Sequence, residues 1–185
     1  MMTVFLDRDG VINRYPGDRK YVTGVRHFHF LPGVLKAVSL LTKAGFRIYV
    51  ISNQAGVSKG LYSRKALEEI TGRMLEGIRK YGGRIDDVYY CLHTTEMNCS
   101  CRKPKAGLLK KATKACRVDL KSTYFIGDSL LDVKAGRAFG CKTILVLSGK
   151  EKLKNASRWD VIPDFIARNL LDAARHIIDQ RYERA

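Results

Sequence analysis

Short apolar runs, each stopped by a cluster of polar residues, recur along the chain. Residues 3–6 end at Asp7-Arg8-Asp9-Gly10, and residues 47–51 end at Ser52-Asn53-Gln54. Runs this short and without polar alternation predict strands covered on both faces, each feeding a polar loop. Further strands are predicted over 85–90, over 123–126 ahead of Gly127-Asp128, and over 142–147. Between these runs the apolar spacing becomes helical. Helices are predicted over 34–43, over 63–81 with Leu67, Ile70, Met74 and Ile78 on one stripe, over 108–115 with a basic outer face, and over 131–139. Gly140 follows the last of these as a C′ residue suited to left-handed backbone, and an amphipathic helix over 165–182 closes the chain.

Strands alternating with helices demand right-handed crossovers, and so an α/β fold with a mainly parallel sheet flanked by helices on both faces. In such sheets ligands bind outside the carboxyl ends of the strands. Asp7, Ser52 and Asp128 each follow a predicted strand immediately, so residues far apart in sequence are expected to meet in one crevice. No repeat, low-complexity tract or linker interrupts the pattern. Residues 1–185 read as a single domain, with 148–155 a surface loop before the last elements. A content of 45% hydrophobic and 28% charged residues over 185 positions suits one globular domain with a sizeable core.

No apolar run approaches the ~20 residues that span a bilayer, and the first residues run into charges without a signal-peptide pattern. The expected setting is the cytoplasm, with no membrane partner. Lys and Arg outnumber Asp and Glu by 34 to 18, a net charge of +16 that favours anions of any kind. These charges are spread along the chain, as on a solvated basic surface rather than a dedicated nucleic-acid patch. Of the five cysteines, Cys91, Cys99 and Cys101 crowd around His93, which suggests a metal before a disulfide. Cys116 and Cys141 lack such neighbours and are expected as small buried hydrophobes. His27, His29 and His176 have no ligand-spaced partner and read as structural or surface residues.

Asp7 and Asp9, one residue apart on a loop with Gly10, allow a division of labour. One carboxylate attacks phosphorus; the other protonates the leaving oxygen and then activates water. A carboxylate approaching a phosphate dianion meets repulsion, so a hard cation on oxygen ligands is required, and Mg²⁺ held by Asp7, Asp128 and a backbone carbonyl would supply it. Ser52 and Asn53 at one strand end, with Lys103 beside Arg102, are the candidate donors to the phosphoryl oxygens. Lys103 is a point charge, whereas the planar fork of Arg102 suits a second anionic or polyol group. Asn13 and Gln54 stand in the loops expected to touch substrate. Cys91-Leu92-His93 and Cys99-Ser100-Cys101 form a set of three thiols and one imidazole that suits tetrahedral Zn²⁺. With all four positions filled by protein, such a site is structural, and it is expected to pin the loop carrying Arg102 and Lys103.

Each signal is weak alone, but together and in order they resemble the four motifs of the haloacid dehalogenase phosphatases. Phe5-Leu6-Asp7-Arg8-Asp9-Gly10-Val11-Ile12-Asn13 resembles the first, Ser52-Asn53-Gln54 the second, Cys101-Arg102-Lys103-Pro104 the third, and Gly127-Asp128 through Asp132 the fourth. The resemblance covers residues 4–146 and implies a Rossmann-like parallel sheet with the nucleophile strand near its centre and no cap domain. It implies an aspartyl-phosphate intermediate on Asp7, with Asp9 as acid/base. It also implies magnesium on Asp7, the Asp9 carbonyl and Asp128, with Asp132 an outer or occasional ligand. The zinc loop joined to Cys-Arg-Lys-Pro narrows the resemblance to a branch acting on heptose 1,7-bisphosphate or histidinol phosphate.

Tyr21-Val22, residues 28–33 and 52–60, and Tyr89-Tyr90-Cys91 are closer to the heptose side of that branch, which implies removal of the 7-phosphate during nucleotide-activated heptose synthesis. Two features depart from it: the short stretch between His93 and Cys99, and Ser129 where some heptose enzymes carry a substrate-contacting lysine. Without a cap, substrate is expected to be recognised by residues 13–30, 53–60 and the zinc loop. The expected partner is a small phosphorylated metabolite and the favoured state a monomer. Histidinol-phosphate phosphatase, a nucleic-acid 3′-phosphatase and a basic zinc-containing binding module are the alternatives.

Overall fold

A computed structural model of the protein describes residues 2–114 and 118–182. Its centre is a six-stranded sheet in the order β3-β2-β1-β4-β5-β6, in which every neighbouring pair is parallel. The strands are β1 (Thr3–Leu6), β2 (Arg47–Asn53), β3 (Asp87–Cys91), β4 (Thr123–Gly127), β5 (Lys142–Val146) and β6 (Phe165–Ala167). The helices are α1 (Val34–Lys43), α2 (Arg64–Lys80), α3 (Gly107–Ala112), α4 (Leu130–Phe139) and α5 (Leu170–Tyr182).

All four residues of β1 are buried, which is why the strand carries no polar alternation. Val4 and Leu6 pack into one layer with Val38 and Leu41 of α1, Ile70 and Met74 of α2, and Ala173 and Ile177 of α5. Phe5 points the other way, into a layer with Leu108 and Leu109 of α3 and Ala135 of α4. There it meets Phe125 and Phe139 edge-on, at centroid distances of 6.3 and 5.7 Å. Each such pair contributes about 0.5–1.5 kcal/mol beyond its burial. No helix among the described residues is long and apolar enough to cross a membrane.

Several boundaries differ from the sequence expectation. Residues 165–167 form β6, not the first turn of the closing helix, because Phe165 and Ala167 find register partners in Ile144 and Val146. Asn169 then accepts a hydrogen bond from the Asp172 backbone at 3.0 Å and starts α5 at Leu170. Strand β2 runs on to Asn53 because Ser52 and Asn53 pair with Tyr90 and Cys91 of β3. The described part of α3 ends at Ala112; Ala115, where its end was expected, and Cys116 lie outside the described residues. Gly140 closes α4 at φ 91°, the left-handed value expected of it.

The chain builds β1, β2 and β3 outward on one side, then returns to the other side of β1 with β4 and continues outward through β5 and β6. The reversal leaves a crevice where β1 and β4 lie side by side, at their carboxyl ends.

Candidate active site

Leu6 pairs with Ile126, and the Asp7 amide donates to the Ile126 carbonyl at 3.0 Å, so Asp7 leaves β1 beside the point where Asp128 leaves β4. The carboxylates of Asp7, Asp128 and Asp132 lie within 4.8 Å of one another. Asp7 and Asp128 line a crevice of about 210 Å³ together with Asp9, Ser52, Asn53, Arg102 and Lys103, and Asp132 lies buried behind them. A larger groove of about 760 Å³ lies between α2 and β3, and among the described residues it holds no comparable cluster of carboxylates.

Lys103 enters from the loop that carries Cys99 and Cys101 and is 3% exposed. Its Nζ lies 3.0 Å from Asp7 Oδ2 and 2.5 Å from Asp132 Oδ1, and it donates to the Ile51 carbonyl at 3.0 Å. Burial alone would favour neutral lysine, but Asp132 and Asp7 outweigh it and raise the Lys103 pKa. Burial lifts Asp7 from 3.8 to about 6; Lys103 opposes that rise, while Asp132 and Asp9 add to it. Asp128 is held well above the usual carboxylate range by burial, then by Asp7 and Asp132. Three buried carboxylates thus face one buried ammonium. The excess negative charge fits a divalent cation on hard oxygen ligands.

The backbone makes room for such a group. A Cβ on Gly10, at φ +83°, or on Gly149 would lie 2.0 Å from Asp128 Oδ2. Residues 148–151, expected as a surface loop, form a wall of the site. The Ser148 hydroxyl donates to the Gly10 carbonyl at 2.7 Å, and the Lys150 and Glu151 amides donate to Asp128 Oδ2 and O at 2.8 and 3.0 Å. The rule that places ligands at strand ends, applied to β5, would have pointed to this loop.

Not every candidate faces the crevice. Asn53 lines it, but its amide grips the Lys103 backbone, donating to the carbonyl at 3.2 Å and accepting from the N–H at 3.1 Å. Asn13 and Gln54, expected at the substrate, are 0% and 1% exposed and turn inward. Asn13 donates to Asp9 Oδ1 at 2.9 Å, and Gln54 donates to Asp9 Oδ2 at 2.8 Å and to the Ser52 hydroxyl at 3.1 Å. Burial favours this arrangement because the N–H groups of both amides find acceptors there, although Asn13 Oδ1 is left without a partner. Asp132, besides its bond to Lys103, accepts from the Ser129 amide and hydroxyl at 3.1 and 2.6 Å, which ties the start of α4 to the site. Arg8, Tyr62 and Lys150 were missed by the sequence analysis. No local signal marks Arg8, which stands between two aspartates and is nonetheless fully buried.

Cys91, His93, Cys99 and Cys101 converge as a second cluster. The sulfurs lie 3.2–3.6 Å apart, and His93 Nδ1 is 3.2 Å from Cys101 Sγ. Tetrahedral zinc with Zn–S bonds near 2.3 Å has ligand atoms about 3.7 Å apart, so the donor set and its spacing fit that ion. Arg102 donates from Nη1 to the His93 carbonyl at 3.1 Å, which couples the cluster to the crevice rim. Of the histidines without a metal-spaced partner, His27 meets the Thr23 hydroxyl and His176 stacks on Phe165.

A HAD-hydrolase-like family model matches residues 100–173. Over 182 residues the chain is 34% identical to the D-glycero-beta-D-manno-heptose-1,7-bisphosphate 7-phosphatase of Neisseria meningitidis serogroup A, covering 97% of this chain and 96% of that one. The Pseudomonas aeruginosa protein of the same name is 37% identical over 147 residues, 80% of this chain and 82% of the other. The solved D,D-heptose 1,7-bisphosphate phosphatase of B. bronchiseptica, complexed with magnesium and phosphate, matches with a TM-score of 0.90 at 30% identity, covering 97% of this chain and 99% of that one.

Proposed function

Because the chain belongs to the haloacid dehalogenase-like hydrolases and is a phosphatase, we propose that it removes the 7-phosphate of D-glycero-D-manno-heptose 1,7-bisphosphate in nucleotide-activated heptose synthesis. It does so as a single-domain cytoplasmic monomer. The observation that carries this proposal is the approach of Lys103 Nζ to 3.0 Å from Asp7 Oδ2 beside Asp128, in a crevice of about 210 Å³ suited to a hydrophilic phosphate ester.

Asp7 attacks phosphorus; the bond from phosphorus to the 7-oxygen breaks, and Asp9 gives its proton to that oxygen. The resulting aspartyl-phosphate is hydrolysed by water, whose proton returns to Asp9. Lys103 and the Ser52 hydroxyl stabilise the phosphoryl oxygens through the displacement. Arg102, at the rim, recognises the remaining phosphate or hydroxyl groups. Asn53 acts by fixing the Lys103 backbone, and Asn13 and Gln54 act behind Asp9. Asp7, Asp128 and the Asp9 carbonyl would hold magnesium, which when bound offsets the charge of nucleophile and phosphate. Cys91, His93, Cys99 and Cys101 would hold zinc and so fix the loop that delivers Arg102 and Lys103.

Phosphate release from both anomers of heptose 1,7-bisphosphate, measured beside histidinol phosphate, tests the assignment. Heptose 1-phosphate should be the product and Asp7→Asn should abolish turnover. A higher kcat/KM on histidinol phosphate, or wild-type turnover by Asp7→Asn, would overturn the substrate or the covalent step respectively.

A further inference from the structure

Arg8 separates two aspartates that open to the crevice, yet its own side chain is 0% exposed. Its Nη2 lies 3.1 and 3.0 Å from Asp9 Oδ1 and Oδ2, and its Nε lies 3.3 Å from Oδ1. The same Nη2 donates to Gln54 Oε1 at 3.0 Å, and the Tyr62 hydroxyl donates to that oxygen at 2.6 Å. With its oxygen claimed by two donors, the Gln54 amide can present only Nε2 to Asp9, and it does so at 2.8 Å. A planar fork on one side and an oriented amide on the other therefore define where the Asp9 carboxyl points.

Burying a guanidinium carries a large desolvation cost. Arg8 Nη1 has no hydrogen-bond partner, and the Tyr90 ring covers the group at 5.9 Å. The contacts Arg8 does make are concentrated on Asp9 and on the glutamine that shares it. We propose that Arg8, together with Gln54 as oriented by Tyr62, is a positioning residue that aims Asp9 at the leaving-group oxygen. This rests on Asp9 acting as the acid/base. A proton donor must lie within hydrogen-bond reach of the oxygen it protonates. A lysine at position 8 would supply a point charge without the fork that fixes direction.

Leaving-group dependence of the first, phosphoryl-transfer step, read as pre-steady-state release of the leaving group, separates positioning from a structural role, since hydrolysis of the aspartyl-phosphate is common to all substrates. The phenolate released from p-nitrophenyl phosphate needs little protonation, whereas the alkoxide released from heptose 1,7-bisphosphate needs a proton. Arg8→Lys should slow first-turnover release of heptose 1-phosphate about 10²-fold while changing the first-turnover release of p-nitrophenol less than about threefold. Tyr62→Phe, which leaves the ring in place, should show the same selectivity with a loss of about fivefold. At this first step Asp9→Asn should slow leaving-group release from the heptose substrate selectively, while the shared hydrolysis of the aspartyl-phosphate slows for both substrates, and adding Tyr62→Phe to it should cost nothing more in the first step. Equal losses of the first-step rate on both substrates in Tyr62→Phe, or a further loss of that rate in the Asp9→Asn background, would overturn the proposal. Full heptose turnover by Asp9→Asn would instead remove the acid/base role on which it stands. If Arg8→Lys does not fold, Tyr62→Phe and its cycle with Asp9→Asn decide.

Discussion

Replacing Lys103 by methionine removes the ammonium that lies between Asp7 and Asp132 while keeping most of the side-chain volume. At 3.0 and 2.5 Å the two contacts correspond to gross attractions of about 6 kcal/mol each at an effective dielectric of 20. Much of that is offset by the desolvation of a lysine only 3% exposed. Removing one partner of such a buried pair costs about 3–5 kcal/mol, because the carboxylates left behind have neither water nor a counter-charge. For a chain of this size each kcal/mol moves Tm by about 2–4 °C, so Lys103→Met should melt about 10–15 °C below wild type. The comparison is made at pH 7.5 in buffer free of magnesium and of chelators. The pKa of Lys103 is raised by folding, so its contribution is fully present at that pH and is lost only as strongly alkaline pH carries it through the folded value. Lys103→Met/Asp132→Asn should recover about half of the loss by removing the more deeply buried carboxylate, without recovering activity. A Lys103→Met protein that melts within about 2 °C of wild type, or a double variant as unstable as the two losses summed, would refute this account of the buried charges.

Gly10→Ala places a methyl group 2.0 Å from Asp128 Oδ2 on a backbone at φ +83°. It should abolish the rise in Tm on adding magnesium and lower kcat at least about 10²-fold, as thermal melts and phosphate release would show. Folding raises Asp7 from 3.8 to about 6, so in metal-free protein its contribution to stability falls as pH rises through that window, by at most about 3 kcal/mol. The stability advantage of Asp7→Asn over wild type should therefore be largest near pH 8 and shrink toward pH 5; chemical denaturation that finds a constant difference would contradict it. Cys99→Ser should lose about one zinc per chain by elemental analysis and lower both Tm and kcat, since the loop it anchors carries Lys103.

The alternation of two-sided apolar runs with helical stripes was readable because it reports burial, which each residue expresses locally. All four residues of β1 are buried, and the polar residues that end β1 and β4 mark one edge of the sheet. The close spacing of Cys91, His93, Cys99 and Cys101 was equally local, and these residues do converge. Other features depended on partners far along the chain. Phe165 and Ile166 fit a helical stripe as well as a strand, and only pairing with β5 chose the strand. Gln54 and Asn13 resembled substrate contacts until Asp9 claimed their amides, and Asn53 until Lys103 did. Arg8 had no role legible in the sequence, and its burial beside Gln54 and Tyr90 came only with the fold. By itself the sequence determined which segments are strands and helices at the centre of the fold and where polar chemistry leaves the sheet. The direction each polar side chain takes was decided only by the tertiary structure, because a buried hydrogen-bonding group turns toward whichever distant partner can satisfy it.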